Sequence, residues 1–362
     1  MTSKDSDKKI MTPLFKPYMP QLDELSAILM SGSLASGKYT VMFEECLKKY
    51  FNQDYVLVTN TFSSAISVAT AAIGLGFGDE VIASPMGCLV STQPYVASGF
   101  KIRWCDVDPM RGTLSPDALR SVVSPKTKAI IHNHFCGYPG YIDEINAIGK
   151  EYGIPVIDDG IECFGSEYKG KKIGACGADV TVFALSAVRI PNTIDGGVII
   201  FKDKKHYDKA VRIRDCGIDR SRFRDELGEI NPCCDITEIG YSATMSNVNA
   251  YIGLRQMEHA RDLIAKQRAN ALKWKEVLKN NSEVTPIENK DICPNYWVYG
   301  IRAKNKTDCI KKFRDSGYYA SGVHINNNIY SVFGDKTDLP GASDFHSHFV
   351  ALPCGWWMED II

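Results

Sequence analysis

The chain has 362 residues, 42 basic against 43 acidic side chains, a formal net charge of −1, and 44% hydrophobic residues. That balance lacks the basic excess of a nucleic-acid binder and the polarity of a disordered chain, and the length allows two or three domains. Twelve cysteines at irregular spacings, with no C-x-x-C pair, do not read as a secreted disulfide framework, and most of them are expected to be buried small apolar side chains.

The first residues, MTSKDSDKKIMTPLF, contain no apolar run of a secretory leader, and no stretch of 18 apolar residues occurs. The expectation is a cytoplasmic protein without a membrane span. In chain order, Tyr55 to Thr59 (YVLVT) predicts a buried strand and Ser63 to Gly74 (SSAISVATAAIG) a small-residue helix. Strands follow at Glu80 to Ser84, Lys101 to Cys105, Lys128 to Asn133, and from Pro155 to Asp158 onward, with a helix at Tyr141 to Tyr152. Thr181 to Leu185 and Gly197 to Phe201 complete seven strands, separated by the loop Ser186 to Gly196. Apolar strands without alternation, repeating with helices, predict an α/β fold around a mostly parallel seven-stranded sheet covered on both faces. From Ser246 a long amphipathic helix runs to about Asn281, then short strands such as Tyr296 to Arg302. This change divides the chain into a large domain, 1–245, and a smaller C-terminal α/β domain, 246–362.

Asp158 and Asp159 end a predicted strand, where open parallel sheets collect their ligands. A carboxylate there can hold the protonated ring nitrogen of an aromatic cofactor; alone, it reads equally as a turn or helix cap. The surrounding text decides. Pro155 to Gly165 (PVIDDGIECFG) and Tyr168 to Gly174 (YKGKKIG) resemble the DegT/DnrJ/StrS sugar aminotransferase family of fold-type-I, pyridoxal-phosphate (PLP) proteins. Gly37 to Thr40, Gly78 to Ile82, Val107 to Pro109, Thr127 to Ile131, Asp195 to Gly197 and Ala250 to Gly253 extend the likeness in order. It reaches from about residue 12 to Leu352-Pro353 and implies one further helix beyond the end of the chain.

The resemblance implies a homodimer, a nucleotide-linked keto-sugar as substrate, glutamate as amino donor, and PLP or its amine form, pyridoxamine phosphate (PMP), as cofactor. It puts Asp159 at the pyridinium partner and His134 beside the cofactor. It also locates the departures. Arg189 occupies the position of the Schiff-base lysine. Arginine stays protonated and is a poor nucleophile, so it does not replace a lysine amine. The phosphate turn reads Thr61-Phe62, the phosphate-binding serine Ala184, with Ser186 following, and the ring-stacking aromatic Cys88. The glutamine after the paired acids reads Glu162, and the asparagine and arginine of a Gly-x-Asn-x-Arg segment read Ser242 and Thr244.

Arg189 brings a fork suited to phosphate or carboxylate. Arg220, Arg222 and Arg224 sit among Asp215, Asp219 and Asp225, and read either as neighbours of Asp159 and Glu162 holding an anionic substrate or as a solvated loop of mutual ion pairs. His132 and His134 alternate on a strand and share a face, yet no third ligand at metal spacing is visible, so no metal is expected. Lys38, Lys169, Lys171 and Lys172 fall in polar turns, unsuited to replace the missing lysine. Two functions compete. One is an aminotransferase-like enzyme of sugar-nucleotide or surface-polysaccharide metabolism with PLP or PMP held non-covalently. The other is a non-catalytic or PLP-independent relative that binds a nucleotide sugar or pairs with an active paralogue.

Overall fold

The computed structural model describes residues 11–334 and 336–358; the first ten residues and the last four, on which the expectations about a leader and a further helix bear, lie outside them. Helices α1 (Leu25–Met30) and α2 (Lys38–Phe51) precede strand β1 (Val56–Thr59). Thr61 then caps α3 (Phe62–Ala72), its hydroxyl accepting the Ser64 N–H. Strands and helices alternate through β2 (Glu80–Ala83), α4 (Gln93–Ala97), β3 (Lys101–Trp104), α5 (Pro116–Val122), β4 (Thr127–Asn133), α6 (Ile142–Tyr152) and β5 (Val156–Asp159). A small hairpin of β6 (Glu167–Tyr168) and β7 (Lys171–Lys172) comes before β8 (Val180–Ala184) and β9 (Gly197–Phe201).

These seven apolar runs form one sheet in the order β1-β9-β8-β5-β4-β2-β3. Pairing is parallel from β3 through β8, and β9 runs antiparallel between β8 and β1. The sheet is thus α/β and mostly parallel, as its uninterrupted apolar strands demand. Side chains alternate between two buried faces. Leu57, Ile131, Ile157 and Val182 join the core under α3, whereas Ile130 and Val156 join the core under α6. By the same parity Asn133 and Asp159 belong to the α3 face, and His132 and Asp158 to the α6 face. This division decides which residues reach the candidate site.

After α7 (Lys204–Ile213), Ser246 caps the 32-residue α8 (Asn247–Leu278). Ala250 of α8 lies in the core beside α2, while Ala271, Trp274 and Leu278 lie in a second core. That second core covers the antiparallel sheet of β10 (Val284–Pro286), β12 (Tyr299–Ala303) and β13 (Phe349–Leu352), beside α9 (Lys306–Asp315). α10 (Pro340–His348) begins where Asp106 accepts the Gly341 and Ala342 N–H groups. Between them β11 (Ile292–Cys293) returns to pair with β6, which carries Asn295, Trp297 and the chain after them back to the end of β5.

Candidate active site

Asp159 closes β5 on the α3 face and is 1% exposed. Its Oδ2 accepts Asn133 Nδ2–H at 3.0 Å and its Oδ1 accepts the Ile161 N–H at 3.0 Å. Burial pushes its carboxyl above the ordinary value, against Ser91, the Ile161 N–H and Asn133, which favour the ion.

Three residues further on, Glu162 is the centre of a buried cluster. Its Oε2 accepts the Cys136 N–H at 2.7 Å, and its Oε1 stands 2.9 Å from His324 Nε2 and 3.4 Å from Arg189 Nη2. Burial alone would push this carboxyl up; His324, Arg189 and the Cys136 N–H outweigh it and hold it below the ordinary range. Arg189 is 7% exposed, and its guanidinium lies 4.3 Å from the Trp297 ring centre. Among the described residues its Nε and Nη1 have no hydrogen-bond partner. Trp297 also runs parallel to His324, 5° apart at 6.1 Å. Two donors to Glu162 come from left-handed non-glycine residues, Cys136 at φ 55° and His324 at φ 59°. Each such conformation costs on the order of 1 kcal/mol and persists where surrounding contacts enforce it.

The sequence reading put His134 beside the cofactor; the structure puts it behind the sheet. His134 Nε2 and His132 Nδ1 lie 3.5 and 3.2 Å from Asp158 Oδ1, on the α6 face, and both histidines are fully buried. Strand alternation is the reason, since Asn133, between the two histidines, takes the Asp159 side. The third neighbour missing from the sequence is Asp158, and the trio has metal-like spacing. Its chemistry opposes a metal. Gly140 N–H donates to His134 Nδ1 at 3.2 Å, so the neutral ring carries its hydrogen on Nε2, the atom that would have to bind the ion. A second trio, Cys136, Glu162 and His324, also has suitable spacing, but Arg189 already supplies the positive charge and burial pushes the Cys136 thiol well up.

Other predicted residues divide. Thr61 caps α3, and the Ser242 carbonyl accepts Nδ2–H of the preceding residue, Asn60, at 3.2 Å. Phe62 turns its ring into the α3-face core, so only its main chain is available to a ligand. Ala184 ends β8, and the Ser186 carbonyl accepts the Arg189 N–H in the turn that follows. Cys88 is half-buried; burial raises its thiol, and the charges of Glu162, Arg189 and Asp159 all act on it. Arg220 does not face Asp159 or Glu162. It pairs with Asp215 at 2.5 and 2.7 Å in an exposed loop, where Arg224 donates to the Gly228 carbonyl and Asn231 Nδ2–H to the Arg222 carbonyl. The loop meets its charges locally, as solvated ion pairs do. Lys169 pairs with Asp143 at the surface, and Lys38 and Lys172 lie over Tyr39 and Tyr50.

Asn133, His324 and Trp297 were not singled out from sequence. Asn133 stood between the two histidines already noted, on the strand parity of Asp159, and could have been read. His324 reaches Glu162 from 162 residues away and carried no local signal.

The model of the DegT/DnrJ/EryC1/StrS aminotransferase family matches residues 19–360. An uncharacterized protein of Methanocaldococcus jannaschii is 27% identical over 356 residues, 94% of this chain and 92% of its own. The sugar aminotransferase CalS13 of Micromonospora echinospora has a TM-score of 0.90 at 28% identity, covering 97% of this chain and 96% of that one. AtS13 of Actinomadura melliaura has a TM-score of 0.90 at 27% identity, covering 98% and 96%. With the sheet order, the buried Asp159 and a match over nearly its whole length, the chain belongs to the DegT/DnrJ/EryC1/StrS aminotransferase family.

Proposed function

We propose that the protein acts on a keto or amino group of a nucleotide-linked sugar, with PLP or PMP held without a covalent bond. One observation carries the reading: Arg189, which the family resemblance puts at the lysine position, is buried and ion-paired to Glu162. The residues fit such a cofactor at both ends. Asp159 offers a buried carboxyl to a ring nitrogen, and the first N–H groups of α3, Phe62 and Ser63, make no bond within the helix and suit a phosphate. They do not fit covalent attachment. A guanidinium does not become a free amine near neutral pH, and the lysines at positions 38, 169 and 172 are engaged elsewhere.

Bound in this way, the cofactor's ring supplies an electron sink for bond breaking at the carbon bearing nitrogen. The chain's own residues do the rest. Asp159 fixes the ring nitrogen, Glu162 and Trp297 hold Arg189 in place, and the free Nε and Nη1 of Arg189 offer hydrogen bonds to an anionic group. A homodimer and glutamate as donor follow from the family resemblance, and a cytoplasmic location completes the proposal.

The test is spectroscopic. PLP added to the protein should give a visible band, and the pyridoxyl absorbance should dialyse away after borohydride treatment as well as before. A pyridoxyl group found on any lysine by peptide mass spectrometry overturns non-covalent holding. No band at all, with a nucleotide sugar still bound, selects the PLP-independent alternative.

A further inference from the structure

We propose that His324 is the general base of this site. The proposal rests on the amino-transfer reading above and adds the group that moves the proton. With arginine at the position where the resemblance expects the lysine, some other side chain must accept a proton near neutral pH. Arg189 is permanently protonated. Both oxygens of Asp159 accept hydrogen bonds, and those of Glu162 are taken by Cys136, His324 and Arg189. Burial pushes the thiols of Cys88 and Cys136 up, away from the thiolate. An imidazole remains.

The geometry of His324 is that of an oriented base. A carboxylate can only accept, so the 2.9 Å contact with Glu162 Oε1 puts the ring hydrogen on Nε2 and leaves the lone pair on Nδ1. The Trp297 ring lies parallel to the imidazole at 5°, and Phe135 meets it edge-on at 5.9 Å, so the ring plane is fixed from two sides. The residue is held at φ 59°. Its side chain is 17% exposed, against 1% for Glu162, so a substrate can reach the ring while its partner stays dry. Arg189, on the same oxygen, keeps Glu162 ionised and so keeps the donor bond in place. In the step assigned to it, Nδ1 takes a proton from the carbon bearing the transferred nitrogen. The C–H bond breaks, an N–H bond forms at Nδ1, and the electron pair left on that carbon would be taken up by the electron sink that the cofactor supplies when bound. The same imidazolium returns the proton at the next carbon or nitrogen.

The first measurement needs neither cofactor nor substrate. Histidine ring nitrogens are followed by 15N NMR, with His324 assigned by its loss in His324→Gly, a substitution that a left-handed φ favours. The wild type should show the neutral ring protonated on Nε2, the nitrogen that faces Glu162 Oε1. A ring protonated on Nδ1 overturns the dyad. The second measurement follows deuterium entry from D2O at Cα of L-glutamate, with PLP uptake checked by absorbance. His324→Gly should slow exchange by about 100-fold or more, and added imidazole should restore part of it, which a structural role does not allow. PLP uptake with exchange unaffected by His324→Gly, or with no exchange in the wild type beyond that of free PLP, sinks the base role alone. No PLP uptake sinks the underlying reading and the base role with it.

Discussion

Arg189 Nη2 stands 3.4 Å from Glu162 Oε1, and both side chains are buried. The two departures that the family resemblance implies, arginine for a lysine and glutamate for a glutamine, would therefore be one contact. A buried charge left without its partner is costly, so each change requires the other. Glu162→Gln and Arg189→Met should each lower unfolding stability by about 3 kcal/mol. The double variant should lose less than the sum, with a coupling of about 1–3 kcal/mol. Urea unfolding of the four proteins measures it; additive losses would show that the contact carries no energy.

The same contact predicts how the lysine chemistry could be restored. In Arg189→Lys the new ammonium sits beside an ionised Glu162, and a neighbouring carboxylate favours the protonated amine. The single variant should therefore take no pyridoxyl label after PLP and borohydride. Arg189→Lys with Glu162→Gln removes the carboxylate and should take the label at residue 189. Equal labelling of the two variants would mean that Glu162 does not govern the position.

The seven strands and α8 were readable because apolar runs and caps are local properties of the chain. The site was readable only in part, for a reason visible at β4 and β5. Asp158 and Asp159 are adjacent in sequence yet serve opposite faces, and one residue of strand parity moves His134 from the cleft to the core behind it. His324 and Trp297 reach Glu162 and Arg189 through β11 and the C-terminal sheet, a long-range pairing without a local motif. Charge density in a sequence does not say where the counter-charges are, and the pairing of Arg220 with Asp215 favours the solvated loop of the two readings.

The cluster behind the sheet should make the fold sensitive to mild acid. Burial holds His132 below its ordinary value of 6.5, with Asp158 opposing. Burial pushes Asp158 up, but His134 and His132 outweigh it and hold it well below 3.8. When folded values are depressed, the unfolded chain binds protons first as pH falls. Stability is then full above about 6.5 and falls with His132 down to its folded value; the Asp158 contribution follows below about 3.8. The slope is up to about 1.4 kcal/mol per pH unit for each group. Urea midpoints should drop between pH 7 and pH 5 in the wild type and drop less in His132→Asn. Parallel slopes would show that His132 titrates alike in both states.

Gly197 opens β9 directly beneath the start of α3. A Cβ there would stand 2.8 Å from Ala65 Cβ, Thr59 Oγ1 and the Thr61 carbonyl. Two of these three atoms belong to α3 and its cap, and neither can rotate away, so Gly197→Ala must push the first turn of the helix off the sheet. Overpacking of this kind costs about 1–3 kcal/mol. The displaced N–H groups of Phe62 and Ser63 are those assigned above to a phosphate. Gly197→Ala should therefore weaken PLP binding, read by titration calorimetry, by about 10-fold or more, an estimate that follows from the same strain. Gly76→Ala, where an added Cβ meets nothing within 4 Å, serves as the control and should bind as the wild type does. Unchanged affinity in Gly197→Ala, with its stability lowered, would move the phosphate away from α3 and leave the helix start a purely structural joint.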